Sequence, residues 1–295
     1  MVYINILALL AGFYIAFVIG ANDAANALGT SFGARILPYK RLTILFGFFV
    51  LSGTLIAYRV GNTMHLLTNG SPIPPLLIAG IIITIITYKG LPISTHQVIV
   101  CALVGLNFSS ADLKLFSKIV GSWIVSPILS GAIAFILYRT LESLRIPVLE
   151  REMLLRYGLL LSGGIVAFNL GANDLPTALG SVTNNTNMFL IGGFFLWMGA
   201  LILGREVSKT VGREIIELSL LGAFVAQLST GIAVFIFTNF GMPVSTTQAI
   251  IGGVVGVGLT KGIKTANWNT LKKIMLGWIL APACALIIGY MLFKF

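Results

Sequence analysis

The chain has 295 residues, of which 57% are hydrophobic and 9% charged, with a mean hydropathy of +0.98. A water-soluble domain carries far more charge, so the composition excludes one and indicates a polytopic membrane protein. The formal net charge of +10 does not argue for a nucleic-acid partner, because basic residues in a membrane protein mainly report which loops face the cytoplasm.

About 20 apolar residues cross a bilayer, and on that ruler ten segments follow one another. The first, 3–22, lacks a basic n-region and reads as a mature span instead of a signal peptide. It runs into "GANDAANALG" (Gly20–Gly29), which puts Asn22 and Asp23 at membrane depth. A second span covers 41–60. The next two, 74–88 and 93–108, are short and separated by "KGLPIST", so they are either two crossings or the arms of a re-entrant hairpin. A fifth covers 116–138, and the charged stretch Tyr138–Arg156 reads as a cytoplasmic linker. Segment 154–173 then runs into "GANDLPTALG" (Gly171–Gly180), followed by 188–204, 214–240, 244–260 and 273–293. Cys101 and Cys284 both sit inside apolar runs and read as buried thiols.

The second half copies the first. The two GAND motifs agree at seven of ten positions, and "GLPISTHQVIVCALVG" (Gly90–Gly105) agrees with "GMPVSTTQAIIGGVVG" (Gly241–Gly256) at eight of sixteen. Both pairs share one shift, 151 residues, and Trp123 and Pro127 find counterparts in Trp278 and Pro282 with a four-residue slip. Five segments per copy is an odd number, so the copies should lie in opposite orientations. The expected fold is therefore an all-α polytopic membrane protein of two inverted five-segment repeats, whose broken or re-entrant helices meet near the membrane midplane. The expected divisions are 1–145, a linker 146–156, and 157–295. With an outside N-terminus and ten crossings, fifteen Lys and Arg residues fall in cytoplasmic loops and four outside. Both termini are thus expected to be extracytoplasmic.

Only Asp23 and Asp174, of nine acidic residues, lie within spans. A charge at that depth is costly and is functional by default; the alternative is a structural ion pair, for which no Lys or Arg stands in the same spans. A cation can serve instead. Sodium takes oxygen ligands, and each motif offers a carboxylate, the amide of Asn22 or Asn173, and Asn26 or Thr177. Gly20, Gly29, Gly171, Gly180 and Pro176 would let the helix unwind and turn carbonyls toward the ion. A proton on the aspartate would satisfy the same charge. The Pro-x-Ser-Thr-x-Gln motifs supply the opposite polarity. They read as helix starts whose free N–H groups and partial positive charge attract an anion. Ser94, Thr95, Gln97, Ser245, Thr246, Thr247 and Gln248, with Asn22 and Asn173, are the candidate substrate-binding residues; plain helix capping is the alternative. His96, in place of the second threonine, either touches substrate or titrates. Two carboxylates and a divalent oxyanion are offset by two sodium ions and two helix N-termini, each worth roughly half a positive charge, and one further cation or proton, or a monovalent anion, would complete the balance. Coupled entry of cations with an oxyanion is therefore electrostatically consistent.

At these residues the sequence resembles the inorganic phosphate transporter (PiT) family, whose signature is a duplicated GAND-type motif in inverted halves. "GANDAANALG", "GANDLPTALG", "LPISTHQ" and "MPVSTTQ" carry the resemblance. It implies a non-enzymatic importer of inorganic phosphate by symport with sodium, without a cofactor, in the cell membrane. Proton coupling, or a sulfate permease of the same family, is the alternative, and the oligomeric state is open between monomer and homodimer. Leu175, Pro176 and Thr177 depart from the family pattern, as do Gln97 and Gln248, which replace histidine. Two more distant readings fare worse. An aspartyl protease of the membrane would have no use for the paired hairpins, and a passive anion channel would not place two carboxylates in the path.

Overall fold

In the computed structural model residues 2–68, 70–211, 218–261 and 268–294 are described; Arg213 and Lys264, both assigned above to cytoplasmic loops, and the start of segment 214–240 lie outside them. Among the described residues every regular element is helical. The first half comprises α1 (Val2–Gly33), α2 (Tyr39–Gly53) with a 3-10 turn at Thr54–Ile56, α3 (Tyr58–Leu67), α4 (Ile73–Tyr88), α5 (Thr95–Leu106) and α6 (Leu113–Ser143). The second comprises α7 (Val148–Asn169), a π turn (Leu170–Asp174), α8 (Leu175–Leu179), α9 (Thr186–Lys209), α10 (Leu220–Asn239), α11 (Thr246–Lys261) and α12 (Trp268–Phe293). Among the described residues seven helices are long and apolar enough to cross a membrane, and three shorter apolar ones are Ile73–Tyr88, Thr95–Leu106 and Thr246–Thr260, ten in all. At about 1.5 Å per residue α5 rises roughly 18 Å, short of the ~30 Å hydrocarbon core. Its length suits an arm of a re-entrant hairpin.

Local chemistry explains the boundaries. Asp112 caps α6 by accepting from the Lys114 and Leu115 amides at 3.0 Å, which satisfies two of the donors a helix start leaves free. Between α6 and α7 only residues 144–147 are non-helical, and Pro147 sets the start of α7. The turns before α5 and α11 each pass through a left-handed glycine, Gly90 (φ +70°) and Gly241 (φ +69°), 151 residues apart. An L side chain is strained there.

The GAND segments do not unwind as expected. α1 remains helical to Gly33, and the second copy relaxes only into the π turn at Leu170–Asp174. The glycines are used for close approach instead. A Cβ on Gly20 would lie 1.8 Å from the Leu196 carbonyl oxygen, where α1 crosses α9. On Gly171 it would lie 2.0 Å from that of Val50, where the π turn crosses α2. Backbones this close leave no room for a side chain, the usual packing of helices inside a membrane.

The two halves interlock. α5 packs on α12, and α11 packs on α6, so each hairpin helix lies against the last helix of the other repeat. Trp123 on α6 ties this exchange by donating Nε1–H to the Pro243 carbonyl at 3.0 Å. The Nε1 of its counterpart Trp278 is buried without a partner among the described residues.

Candidate functional site

Asn22 fastens the first hairpin to α1. Its Nδ2 donates to Thr87 Oγ1 (2.9 Å) and the Leu91 carbonyl (3.0 Å), while its Oδ1 accepts from the Ile93 amide (3.0 Å). Asn173 does the same in the second half: Nδ2 to Thr238 Oγ1 (2.8 Å) and the Met242 carbonyl (3.0 Å), Oδ1 from the Val244 amide (3.0 Å). All four partner pairs are separated by 151 residues, so the sequence repeat is also a repeat of side-chain geometry. These bonds use both donors of each amide and one of the two lone pairs of each oxygen. The asparagines, expected to face ligands, are here clamps that hold each hairpin tip against its GAND helix.

The clamps bring the hairpin hydroxyls onto the carboxylates. Thr95 Oγ1 donates to Asp23 Oδ2 at 2.5 Å, and Thr246 Oγ1 lies 2.9 and 3.2 Å from the two oxygens of Asp174. Thr247 reaches across to the other repeat. Its Oγ1 accepts from Asn26 Nδ2 (2.9 Å) and lies 3.2 Å from Asp23 Oδ1 and 3.1 Å from the Ile93 carbonyl. A hydroxyl has one proton, so with Asp23 ionised only one of those last two contacts is a hydrogen bond at a time. The other is then an oxygen–oxygen approach that a cation, or a proton on Asp23, would relieve. Thr95, Thr246 and Thr247, expected on the anion side, therefore face the carboxylates.

The remaining candidates divide into three kinds. Ser94 and Ser245 accept from the Gln97 and Gln248 amides (3.4 and 3.1 Å) and cap α5 and α11. A cap uses the hydroxyl as acceptor and leaves its proton to donate elsewhere. Gln97 Oε1, Gln248 Oε1 and Asn26 Oδ1 are buried acceptors without a donor among the described residues, which costs about 1–3 kcal/mol each unless a ligand completes them. Gln97 also borders a cavity of about 430 Å³ with Cys101, Phe116, Trp123 and Trp278. Thr177 is turned back onto its own helix, donating to the Asn173 carbonyl at 2.9 Å.

Asp23, Asp174 and every polar side chain placed in this site are buried, as are Cys101 and Trp123, while Trp278 is half-buried. Among the described residues no Lys or Arg lies within 4.0 Å of either, and the nearest basic group is His96 Nε2, 3.6 Å from Asp174 Oδ1. Two buried carboxylates without a permanent counter-charge are untenable in an apolar interior. The arrangement can hold cations in oxygen cages and can present two helix N-termini to an anion beside them. The clamp residues Thr87 and Thr238 and the Ile93 backbone were missed in the sequence. The two threonines carried a signal, since they recur at the same 151-residue shift inside apolar segments.

The model of the phosphate transporter family matches residues 19–289. A protein of Methanocaldococcus jannaschii named "Putative phosphate permease" is 49% identical to the chain, covering 97% of it and 96% of that protein. The "Probable low-affinity inorganic phosphate transporter" of Bacillus subtilis is 26% identical over 92% of the chain and 91% of its own length. A solved structure named "The sodium-dependent phosphate transporter" has a TM-score of 0.88 at 23% identity, covering 99% of this chain and 98% of that one, a likeness of fold. With a duplicated clamp geometry inside a polytopic helical fold, the chain belongs to the phosphate transporter family, a family of membrane transporters and not of enzymes.

Proposed function

We propose that the protein carries inorganic phosphate into the cell by symport with sodium, from a multi-pass position in the cell membrane with both termini outside. The observation that carries this reading is the pair of buried carboxylates, Asp23 and Asp174, faced by hydroxyls and by no Lys or Arg among the described residues. Sodium is a hard cation and takes oxygen ligands, as other hard cations do. Asp23 offers it a carboxylate, the hydroxyls of Thr95 and Thr247, the Ile93 carbonyl and the unsatisfied Asn26 Oδ1. Asp174, with Thr246, is the corresponding place in the second repeat.

Phosphate would lie at the N-termini of α5 and α11, where the Ser94 and Ser245 hydroxyls and the side-chain NH2 groups of Gln97 and Gln248 would supply donors. A protonated phosphate oxygen would in turn donate to a glutamine Oε1. The cations and the anion then neutralise one another, so neither is stable at depth alone, and entry is coupled. The names of the relatives support phosphate, and the name of the fold neighbour supports sodium. The test is uptake of labelled phosphate and sulfate into proteoliposomes with sodium and proton gradients imposed separately. Phosphate uptake should follow the sodium gradient, and sulfate should fail to compete. Uptake that follows the proton gradient with no sodium present would overturn the sodium reading.

A further inference from the structure

We infer that the two carboxylate sites are chemically unequal, the Asp23 site being a complete sodium cage and His96 keeping sodium out of the Asp174 site. The inference rests on the sodium reading above and narrows it to one repeat. The shift of 151 residues makes His96 the counterpart of Thr247 and Asn26 the counterpart of Thr177. Each member of the first pair crosses to the other repeat's aspartate, Thr247 to Asp23 at 3.2 Å and His96 to Asp174 at 3.6 Å. The positions are equivalent, and the chemistry is not.

Hydrogen bonding fixes which nitrogen of His96 carries a proton. Asn173 Nδ2 donates to the Met242 carbonyl, which can only accept, and Asn173 Oδ1 already accepts from the Val244 amide. The amide orientation is thereby set, so Oδ1 is an acceptor toward His96 Nε2 at 3.1 Å and that nitrogen must be the donor. A ring nitrogen bearing hydrogen has no lone pair to offer a cation. At Asp23 the same place holds a hydroxyl oxygen, which keeps a lone pair for an ion. The second difference acts in the same direction. Asn26 reaches the Asp23 site through Nδ2, which donates to Thr247 Oγ1, and its buried Oδ1 has no donor among the described residues, whereas Thr177 gives its proton to its own helix at the Asn173 carbonyl. The Asp23 site therefore has a hydroxyl oxygen where the Asp174 site has an N–H, and an amide with an uncommitted oxygen where the Asp174 site has a back-bonded hydroxyl.

The experiment is equilibrium binding of radiolabelled sodium to purified protein without phosphate, at one fixed pH, with thermal unfolding as a check that each variant is folded. The wild-type chain should bind a single sodium ion, weakened far more by Asp23→Asn than by Asp174→Asn. His96→Thr should create a second site that Asp174→Asn removes. The exchange His96→Thr with Thr247→His, which keeps the same side chains in the interior, should move the ion: binding persists but now depends on Asp174. Two equivalent sodium ions on the wild-type chain would overturn the inference, as would a His96→Thr chain that still binds one, or an exchanged chain whose sodium still depends on Asp23. A wild-type chain that binds no sodium would overturn the underlying sodium reading itself, an outcome distinct from the other three.

Discussion

The Ile93 amide donates to Asn22 Oδ1 at 3.0 Å, and the Val244 amide donates to Asn173 Oδ1 at the same distance. Each asparagine thus closes a loop between a GAND helix and a hairpin tip, and the threonines that face the aspartates stand two residues further along the chain. Position Thr95 or Thr246 a few tenths of an ångström away and the carboxylate loses its closest partner.

Asn22→Ala should therefore release the first hairpin. It leaves the Ile93 amide and the Leu91 carbonyl without their partner in a buried place, a loss of at least about 2 kcal/mol. Asn22→Asp keeps the acceptor for Ile93 but gives up the donor to Leu91 and adds a charge beside Asp23. Both variants should unfold at lower temperature in detergent and lose phosphate uptake, and Asn173→Ala should behave like Asn22→Ala. Uptake unchanged in Asn22→Ala would show that the clamp does not hold the site.

The Ser245 hydroxyl caps α11 and, on the proposed reading, donates to phosphate. Ser245→Ala should lower stability by about 1 kcal/mol through the lost cap and weaken phosphate binding by a further factor of about ten, the worth of one hydrogen bond to a charged group. Sodium binding without phosphate should survive. Calorimetric titration with phosphate and with sodium separates the two effects, and the same pattern is expected of Ser94→Ala.

Much of this site was legible because its chemistry is carried by whole motifs that occur twice. The two aspartates stand out against apolar spans, and the shared shift of 151 residues pairs Ser94 with Ser245 and Thr95 with Thr246 before any coordinates. The expectation of unwound GAND helices failed for a physical reason. A glycine tolerates unwinding but equally permits two backbones to touch, and at Gly20 and Gly171 the crossing helices claim that space. The employment of Asn22 and Asn173 was hidden because their partners include backbone groups of Leu91, Ile93, Met242 and Val244, whose side chains report nothing of it. Thr247 and His96 were ambiguous for a related reason: they serve the opposite repeat, and no local spacing reveals a contact between halves.

Gly20→Ala gives a test of that packing. Its Cβ would fall 1.8 Å from the Leu196 carbonyl oxygen, a backbone atom that cannot swing aside. The helices α1 and α9 would have to separate, at a cost of about 1–3 kcal/mol or more. Thermal unfolding should fall clearly below that of a control such as Gly121→Ala, where open space surrounds the added methyl.

Trp123 and Trp278 should respond differently to the same change. Trp123→Phe strips the Pro243 carbonyl of its donor and should cost about 1–3 kcal/mol. Trp278→Phe removes an N–H that is buried without a partner, so it should be neutral or stabilising. Paired unfolding curves in detergent decide this, and equal losses would mean that the two halves are engaged alike.

The most direct measurement is the phosphate dissociation constant of the purified protein as a function of sodium concentration, in wild type and in Asp23→Asn. Linkage requires that an ion at Asp23 and an anion beside it strengthen one another equally. The wild-type constant should fall at least about tenfold as sodium is raised, a coupling within the usual range. In Asp23→Asn phosphate should bind weakly, recovering only in part at the highest sodium concentrations. A wild-type constant indifferent to sodium, or an Asp23→Asn constant with the full wild-type sodium dependence, would contradict cation-coupled phosphate binding at this site.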